Sequence, residues 1–555
     1  MAIAVNKAPA TEPSVDGVPP ERSADAIPAF DKFLAAFRKK KMSRLGALQT
    51  CLGLIRREPS DLLELLEALP AAWADHAVTS VYAMRISPQR RKRLGAYFTP
   101  PHLVDHLVSR LAACGMDPVE HRLRDPAAGG AAFLVPLARI KVAAWRERGL
   151  DDAEIVRSLR AHLVGREIQS ELGIIANALL RRMLVQEFGL APKFASRLTL
   201  VKVGNSLDPK FAKKDMVDHE VGNPPFMRLG ATDKRLSRAI FREIASGRAN
   251  LYALFVRRAL EEVPAGGLIG YVIPASFLGG PEFASFRKRV LELAEVMVVD
   301  VIEKRRDVFL DAIQDACFVV LRRRAQPVAK PKACKAISGV FQRGGRFFSK
   351  GFAHIETKGS PWRLPGLELP ACSKLRDWGY RATVGYLVAN RQPERLHKRA
   401  AKGRYPLIWA KAITVERGAA FKGSGWADAP ADAAYVVRTP CVAVQRTSSR
   451  GQKRRLSAAP ISESFIDKYG GIIGENHVLL LVPTSPDAAS PEALAEALNE
   501  ARPSAELDRV CGSASISVRL LETIELGTRP IALRHTKADL SRVDKRRRPQ
   551  TVMAL

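Results

Sequence analysis

The feature that most constrains this fold is a regular alternation of strand-like and helix-like segments between residues 121 and 322. Strand-like stretches lie at 121–124, 162–167, 198–203, 215–221, 268–274, 296–302 and 316–322. Helical periodicity follows the first two of these, up to about residue 148 and at 170–188, and returns at 250–263. This order predicts a doubly wound, mostly parallel α/β sheet, in which ligands bind at the carboxyl ends of the strands.

The segments on either side of this core differ from it in composition. We expect a disordered lead-in at 1–28, a helical N-terminal segment at 29–84, the α/β domain at 85–325, a linker at 326–359, a second α/β domain at 360–535 and a basic tail at 536–555. The linker is predicted because the run Arg322–Arg324 and the prolines after it interrupt the alternation. The second domain is expected to have short strands and many turns.

The charge of the chain indicates a polyanionic partner. Lys and Arg total 88 against 57 Asp and Glu, which gives a net charge of +31 and an isoelectric point near 10.2. The excess is concentrated, because residues 381–459 hold 16 basic and 4 acidic side chains. We therefore expect the second domain to contact nucleic acid.

Other features narrow the class of protein. The 7 cysteines are scattered and form no Cys-x-x-Cys pair, so neither a disulfide framework nor a zinc site is predicted, and a reducing cytoplasm is the expected location. No window holds 18 uninterrupted apolar residues, and the N-terminus lacks the pattern of a secretory signal. We expect a protein that does not enter a membrane.

The segment Gly222–Phe226, Gly-Asn-Pro-Pro-Phe, indicates a specific chemistry. Two prolines fix φ and remove two backbone donors, and Asn223 is held extended because it precedes a proline. The result is a rigid hook that presents an amide, free carbonyls and an aromatic ring. These groups suit a planar ligand with an exocyclic amino group. The structural alternative is a stiff surface turn with a packed Phe226.

Three further strand ends carry polar or glycine residues. Asp125–Gly130, Asp-Pro-Ala-Ala-Gly-Gly, would let the backbone approach a ligand closely, and Glu167 could accept hydrogen bonds from both ribose hydroxyls of a nucleoside cofactor. Asn205 could contact an adenine ring. Taken singly, each has a structural alternative: a packed turn, a solvated carboxylate or a surface amide.

Taken in order, these segments resemble the N6-adenine DNA methyltransferases of restriction–modification systems, specifically the type II subgroup with a C-terminal target recognition domain. Gly95–Pro100 is similar to the family motif Gly-x-Tyr-Tyr/Phe-Thr-Pro, and Asp125–Leu134 to Asp-Pro-Ala-Cys-Gly-Ser-Gly-Ala-Phe-Leu. Gly165–Ile168 matches the ribose-binding acidic position and Asn223–Phe226 the catalytic motif. The resemblance covers roughly residues 85–325 and extends more loosely into the second domain.

The resemblance implies a Rossmann-like class I methyltransferase domain, S-adenosylmethionine as cofactor and double-stranded DNA as partner. The implied catalytic residues are Asn223, Pro224, Pro225 and Phe226. The implied cofactor-binding residues are Ala96, Tyr97, Thr99, Asp125, Ala127, Gly129, Glu167 and Asn205. The implied DNA-binding residues are Arg228, Phe309, Arg446, Lys453, Arg454 and Arg455. No metal ligand is implied.

The chain departs from the family pattern at three positions. Ala131 replaces the second glycine of the turn, and its Cβ is expected to crowd the cofactor. Asn205 replaces an acidic residue, and Gln169 replaces an Asp or Asn. A DNA-binding homologue with a weakened cofactor pocket is therefore an alternative, as is methylation of an RNA base or a protein glutamine. We find no nuclease cluster in the first 85 residues, so a separate restriction endonuclease is the expected partner.

Overall fold

The computed structural model describes residues 21–40, 43–86, 99–208, 216–230, 232–244, 249–302, 315–342, 346–365, 373–414, 418–419, 425–448, 454–510 and 515–527. The chain divides into two units. The first comprises residues up to 369 together with 446–455 and 504–520, and the second comprises 370–445, 456–503 and the residues from 521 onward.

The first unit is built on one nine-stranded sheet. Its strands are β1 (Leu123–Asp125), β2 (Leu163–Glu167), β3 (Val201–Val203), β4 (His219–Gly222), β5 (Leu268–Pro274), β6 (Ala294–Ile302), β7 (Ala316–Arg323), β8 (Cys334–Phe341) and β9 (Phe347–Ile355). Their order across the sheet is β3-β2-β1-β4-β5-β7-β6-β8-β9. Strands β1 to β5 are parallel, whereas β7 lies antiparallel between β5 and β6. The predicted Rossmann-like α/β fold is confirmed.

Helices cover both faces of this sheet. Those of the first unit are Glu21–Arg38, Arg44–Arg56, Asp61–Glu67, Ala71–Ala83, Pro101–Ala113, Leu134–Glu147, Asp152–His162, Ser170–Gln186, Pro192–Ala195, Ala239–Arg242, Leu251–Glu262, Ser276–Gly279, Ala284–Leu293 and Val518–Leu521. Helix Ala501–Val510 begins in the second unit and continues into the first. None of the helices in the described ranges has the length and apolarity to cross a bilayer.

The central strands are apolar on both faces because each face meets a separate layer of helices. In β7, Phe318 and Val320 join one buried cluster, and the alternate residues Val319 and Leu321 join the other. The first cluster also contains the N-terminal helices. Asp75 in helix Ala71–Ala83 forms an ion pair with Arg139 at 2.5 Å. Arg139 lies in helix Leu134–Glu147, which follows the glycine-rich turn, so the ion pair fixes the two helices to each other.

The structure differs from the sequence prediction at two places in this unit. Helix Glu21–Arg38 begins inside the segment 1–28 that we expected to be disordered. The segment 326–359, predicted as a linker, contains β8 and β9, which extend the sheet beyond β6. Strand β8 pairs in parallel with β6 and antiparallel with β9. The flanking Pro and Lys residues hid these strands, and the partner that joins β8 to the sheet, β6, is a distant segment.

The second unit is a mixed assembly of short strands. They are β10 (Tyr380–Val384), β11 (Leu396–His397), β12 (Arg404–Ile408), β13 (Ile413–Thr414), β14 (Gly418–Ala419), β15 (Trp426–Asp428), β16 (Cys441–Gln445), β17 (Ala458–Ile461), β18 (Ile473–Gly474) and β19 (Val478–Pro483). They form sheets in the orders β10-β19-β16-β17, β11-β15-β12-β18 and β13-β14. Its helices include Glu463–Tyr469 and Pro491–Asn499. The expected second α/β region with short strands is therefore present.

Candidate active site

A cavity lies at the carboxyl ends of the parallel strands of the first unit. Its walls come from the ends of β1, β2, β3 and β4 and from the helices that follow them. The lining residues include Thr99, Asp125, Ala127, Gly129, Glu167, Gln169, Asn205, Asn223, Pro225 and Met227. Four segments separated by up to a hundred positions thus meet where a doubly wound sheet places its ligands.

The hook follows directly from β4, which ends at Gly222. A Cβ on Gly222 would lie 2.8 Å from the Asp125 Oδ1 atom, so the glycine leaves room for the Asp125 side chain in its present position. The Asn223 side chain donates from Nδ2 to Thr99 Oγ1 at 3.0 Å. This bond fixes the plane of the amide inside the cavity and gives Thr99 a positioning role.

The glycine-rich turn after β1 is supported from outside the cavity by the N-terminal helices. A Cβ on Gly130 would lie 2.1 Å from Thr79 Cγ2, so helix Ala71–Ala83 packs directly against the turn. Ala131 has a φ of +65°, a left-handed conformation that costs a residue with a Cβ roughly 1–2 kcal/mol. Its side chain is buried in the cluster with these helices and does not line the cavity. The expected crowding of the cofactor by Ala131 is therefore not observed.

Glu167 joins the end of β2 to the glycine-rich turn. Its Oε2 atom accepts from the Gly129 N–H at 2.9 Å, and its Oε1 atom accepts from the Gln169 N–H at 2.9 Å. Burial raises the pKa of Glu167, although these backbone donors act in the opposite direction. Each carboxylate oxygen has a second lone pair, so the group can also accept from ligand hydroxyls.

Asp125 is the second carboxyl group in the cavity. It is 1% exposed, and its Oδ1 atom accepts from the Ala127 N–H at 3.0 Å. Burial raises the pKa of Asp125 well above its usual range, and the nearby carboxylates of Glu167 and Glu220 raise it further. A donor or cation in the cavity would therefore be favourable, because it would stabilise these buried groups.

The remaining lining residues fit a nucleoside-containing cofactor. Phe133, Leu172 and Leu207 give apolar surface for a planar ring, and the carboxylates can accept from ribose hydroxyls. The Gln169 Oε1 atom is buried and has no hydrogen-bond partner within the described part of the chain. A ligand amino group would satisfy this acceptor. These acceptors therefore suit S-adenosylmethionine, with Glu167, Asp125 and Gln169 as its polar contacts.

Asn205 lines the rim of the cavity after β3. It is exposed, and its Oδ1 atom accepts from the Leu207 N–H at 3.1 Å, which closes a local turn. The neighbouring Ser206 hydroxyl donates to the Pro126 carbonyl, and the bond links this turn to the end of β1. The side-chain oxygen of Asn205, which was predicted to lie near an adenine ring, thus already accepts from the backbone.

Phe226 occupies a different position from the rest of the hook. Its ring is 8% exposed and packs edge-on against Tyr252, with ring centroids 6.4 Å apart. Pro225 and Met227 line the cavity, whereas Phe226 and Pro224 do not. The stacking of Phe226 on a base stays a prediction.

This part of the chain is similar to known proteins. Residues 192–309, which include the hook, match the family model of the Eco57I restriction-modification methylase. The type II methyltransferase M.PstI of Providencia stuartii is 32% identical over 87 residues, which cover 16% of this chain and 17% of that protein. The type II methyltransferase M.BsuBI of Bacillus subtilis is 26% identical over 208 residues, or 35% of this chain and 41% of that protein.

The predicted resemblance to restriction–modification methyltransferases is confirmed. This chain spans less than half the length of either of these two relatives. Among solved structures, the ATP-dependent Type ISP restriction-modification enzyme LlaBIII bound to DNA is 12% identical, with a TM-score of 0.48 over 83% of this chain and 42% of that one.

The residues predicted to contact DNA lie in several different environments. Arg228 is exposed and pairs through its backbone with Asn250. Arg446 is partly buried, and Arg454 is exposed. Arg455 is 1% exposed and pairs with Asp508 at 3.3 Å, so its predicted role as a DNA ligand is not supported. Its position in a basic run concealed this internal partner.

Four of the predicted site residues lie outside the described residues: Ala96, Tyr97, Phe309 and Lys453. Their proposed contacts with the cofactor and DNA remain predictions. Within the described ranges, no group of three or more His, Cys, Asp or Glu side chains is arranged to hold a metal ion.

The cavity also contains residues that the sequence prediction omitted. Met227 follows the hook, and its adjacency to Phe226 could have indicated it. Arg235 lines the cavity and pairs with Asp233 at 2.6 Å. No local signal marks Arg235, because it reaches the cavity only through the docking of the short helix Lys234–Ser237, whose Leu236 enters the second hydrophobic cluster.

Proposed function

We propose that this chain is a DNA methyltransferase that uses S-adenosylmethionine to methylate N6 of adenine. One observation carries the proposal: the Asn223 amide, held by Thr99, shares a single cavity with the buried carboxyl groups of Asp125 and Glu167. An amide acceptor for an exocyclic amino group is thus placed beside a set of groups suited to a nucleoside. The basic second unit and the type II methyltransferase relatives support DNA as the substrate.

The chemistry requires positioning more than a strong base. The cofactor, when bound, supplies an electrophilic methyl group on a sulfonium. The Asn223 side-chain oxygen would accept a hydrogen bond from the substrate amino group and orient its nitrogen lone pair toward that carbon. A new N–C bond would form as the S–C bond breaks, the S–C electron pair would return to sulfur, and one amino proton would leave to water. Fixed dipoles of this kind can supply several kcal/mol of transition-state stabilisation.

Adenine in duplex DNA is stacked, so its amino group reaches such a cavity only after the base rotates out. This costs roughly a few kcal/mol, and contacts within the cavity would offset that cost. Pro225 and Met227, which line the cavity beside Asn223, are the apolar surfaces available to the rotated ring. We further propose that the methylation protects DNA from a separate restriction endonuclease.

The experiment is a product analysis with the purified full chain. Unmodified genomic DNA is incubated with S-adenosylmethionine, hydrolysed to nucleosides and examined by mass spectrometry. N6-methyladenine is the expected product. N4-methylcytosine or 5-methylcytosine would overturn the assignment to adenine. Methyl transfer to RNA or to a protein glutamine, with none to DNA, would overturn the assignment to DNA, and binding of DNA without cofactor binding would favour the weakened homologue.

A further inference from the structure

The second unit carries an exposed cluster that the sequence prediction did not single out. The rings of Tyr386 and Tyr435 are stacked with their centroids 3.9 Å apart and their planes within 4° of parallel. The guanidinium of Arg395 lies 5.8 Å from the Tyr386 centroid and 5.3 Å from that of Tyr435. We call these three residues the tyrosine–arginine platform.

The platform is held in place by hydrogen bonds rather than by burial. Arg395 Nη2 donates to the Tyr435 hydroxyl at 2.7 Å and to the Asp428 carbonyl at 2.6 Å. Arg395 links the two rings, because it binds Tyr435 through the hydroxyl and its guanidinium lies beside both rings.

Backbone pairing brings the three side chains together from separate segments. Arg395 directly precedes β11, which pairs antiparallel with β15, and this register places Arg395 beside Asp428. Tyr386 precedes Leu387, whose N–H donates to the Gly474 carbonyl at 3.1 Å. Since the supports are strand pairs, the platform is preorganised before any ligand arrives.

The outer surface of the platform is open to solvent. Tyr386 is 49% exposed although Tyr435 covers one face of its ring. An aromatic face of this kind, which is rigid and solvent-accessible, can accept another flat ring by stacking. Stacking on an aromatic side chain tolerates every nucleobase because each base has a π-face.

The charge around the platform fits a phosphate backbone. Residues 391–404 hold six basic side chains, Arg391, Arg395, Lys398, Arg399, Lys402 and Arg404, and one acidic side chain, Glu394. Lys398, Arg399 and Lys402 are exposed, and Arg404 donates to the Arg399 carbonyl at 3.2 Å. Aromatic surface bordered by cations is the combination that binds unstacked nucleic acid.

We propose that the tyrosine–arginine platform binds a nucleobase of DNA that has left the duplex stack, with Tyr386 as the stacking surface and Arg395 as the residue that positions it. The inference rests on the proposed DNA substrate, because opening of the duplex at a target base is what exposes such bases. Lys398 and Arg399 contact the flanking phosphates.

The test measures the binding of the full chain to fluorescent DNA, with no cofactor and no turnover. Two duplexes are compared: one fully paired and one with a single unpaired base. Tyr386→Ala is expected to weaken binding to the second duplex by roughly 5- to 100-fold, the size of one base–aromatic stack, and to leave the salt dependence unchanged. Tyr386→Phe should retain the wild-type affinity. Phe352→Ala, which removes an aromatic ring of the first unit that is 53% exposed, is the control and should have no effect.

Arg395 is tested as a positioning residue by a double-mutant cycle. If it acts through the rings, Arg395→Ala and Tyr386→Ala will each lower the affinity, and the double variant will be little worse than either. If Arg395 instead binds phosphate, the effects will add and the salt slope will fall by about 1, as is expected for Lys398→Gln. Additive effects of this kind would overturn the positioning role.

The remaining outcomes separate this inference from the proposed function. If Tyr386→Ala binds both duplexes with the affinity of the wild type, the proposed role of the platform is overturned, whether or not the chain methylates DNA. Tighter binding to an RNA hairpin than to either duplex would overturn DNA as its ligand. Loss of methylation with an intact platform effect would contradict the proposed function alone.

Discussion

The cavity of the first unit presents buried groups to a ligand, whereas the tyrosine–arginine platform of the second presents exposed ones. The cavity holds two buried carboxyl groups, Asp125 and Glu167, whose positions are fixed by backbone N–H donors. The platform exposes aromatic and cationic groups, and its central Arg395 is fixed by a carbonyl and a hydroxyl. In both, the functional groups are set before a ligand binds, but only the cavity removes them from water.

This difference has a measurable consequence. Charges in the cavity are weakly screened, so changes there should affect chemistry and cofactor affinity with little dependence on salt. Charges around the platform face solvent and are screened over about 10 Å at 0.1 M salt. Changes there should alter DNA affinity in a salt-dependent way. Variants at either site that lack the expected salt dependence would contradict this difference between the two sites.

The largest effect is expected from Asn223→Ala. Removal of the amide leaves the amino group of the substrate without its acceptor, so the rate of methyl transfer should fall by about 10³-fold or more. DNA binding, measured by fluorescence anisotropy, should stay within about twofold of wild type, because the second unit is intact. Asn390→Ala removes an exposed asparagine of the second unit and serves as the control. Substantial methylation by Asn223→Ala would exclude the hook from catalysis.

A smaller effect is expected from Glu167→Gln. Loss of a charged acceptor should weaken binding of S-adenosylmethionine by roughly 10- to 100-fold, as measured by calorimetry. The exposed Glu147→Gln should bind as wild type does.

The raised pKa of Glu167 indicates that cofactor affinity depends on pH. Burial raises the pKa of Glu167, and hydroxyl donors favour its ionised form, so cofactor affinity of the wild type should fall as the pH drops through that raised pKa. Glu167→Gln has no carboxylate at this position that could be protonated, so its cofactor affinity should depend less on pH. An identical pH profile in both proteins would remove Glu167 from the cofactor site.

The fourth prediction concerns the N-terminal helices rather than the ligand. Gly130→Ala places a Cβ against Thr79 and should lower the free energy of unfolding by about 1–3 kcal/mol, seen as a lower midpoint of thermal denaturation. Combination with Thr79→Ser, which removes the nearest methyl group, should restore part of this loss. Gly230→Ala meets no atom within 4 Å and should leave the midpoint unchanged. Equal midpoints for the Gly130 and Gly230 variants would contradict the close packing of Thr79 against Gly130.

The smallest effect is expected from Ala131→Gly. Relief of the left-handed φ and loss of one buried methyl group act in opposite directions, so stability should change by less than about 1 kcal/mol. Cofactor affinity should not change, since the methyl group faces the N-terminal helices. A large gain in affinity would show that Ala131 obstructs the cofactor after all.

Much of the first unit could be predicted because its signals are local. The run of strands and helices from β1 to β7 follows from apolar stretches bounded by turns, and the hook and the glycine-rich turn are contiguous sequences. The strands β8 and β9 could not be predicted in the same way. The pairing of β8 with β6 joins segments more than thirty positions apart, and the exposed middle of β9 leaves no apolar run to mark that strand.

The same limit applies to individual side chains. Arg455 belongs to a basic run, yet it is buried against Asp508, and Phe226 belongs to the hook, yet its ring packs on Tyr252. Composition reports how many charges or rings a segment has. Which of them face solvent depends on neighbours that arrive from elsewhere in the chain.

The α/β class, the basic character of the second unit and the rigid conformation of the hook follow from the amino-acid sequence alone, because proline geometry, periodicity and net charge act over a few residues. Three other features appear only in the folded chain: Thr99 holds the Asn223 amide, Thr79 supports Gly130, and Tyr386, Arg395 and Tyr435 meet. These contacts join residues between 9 and 124 positions apart, and each exists only once the fold has brought together the segments that carry it.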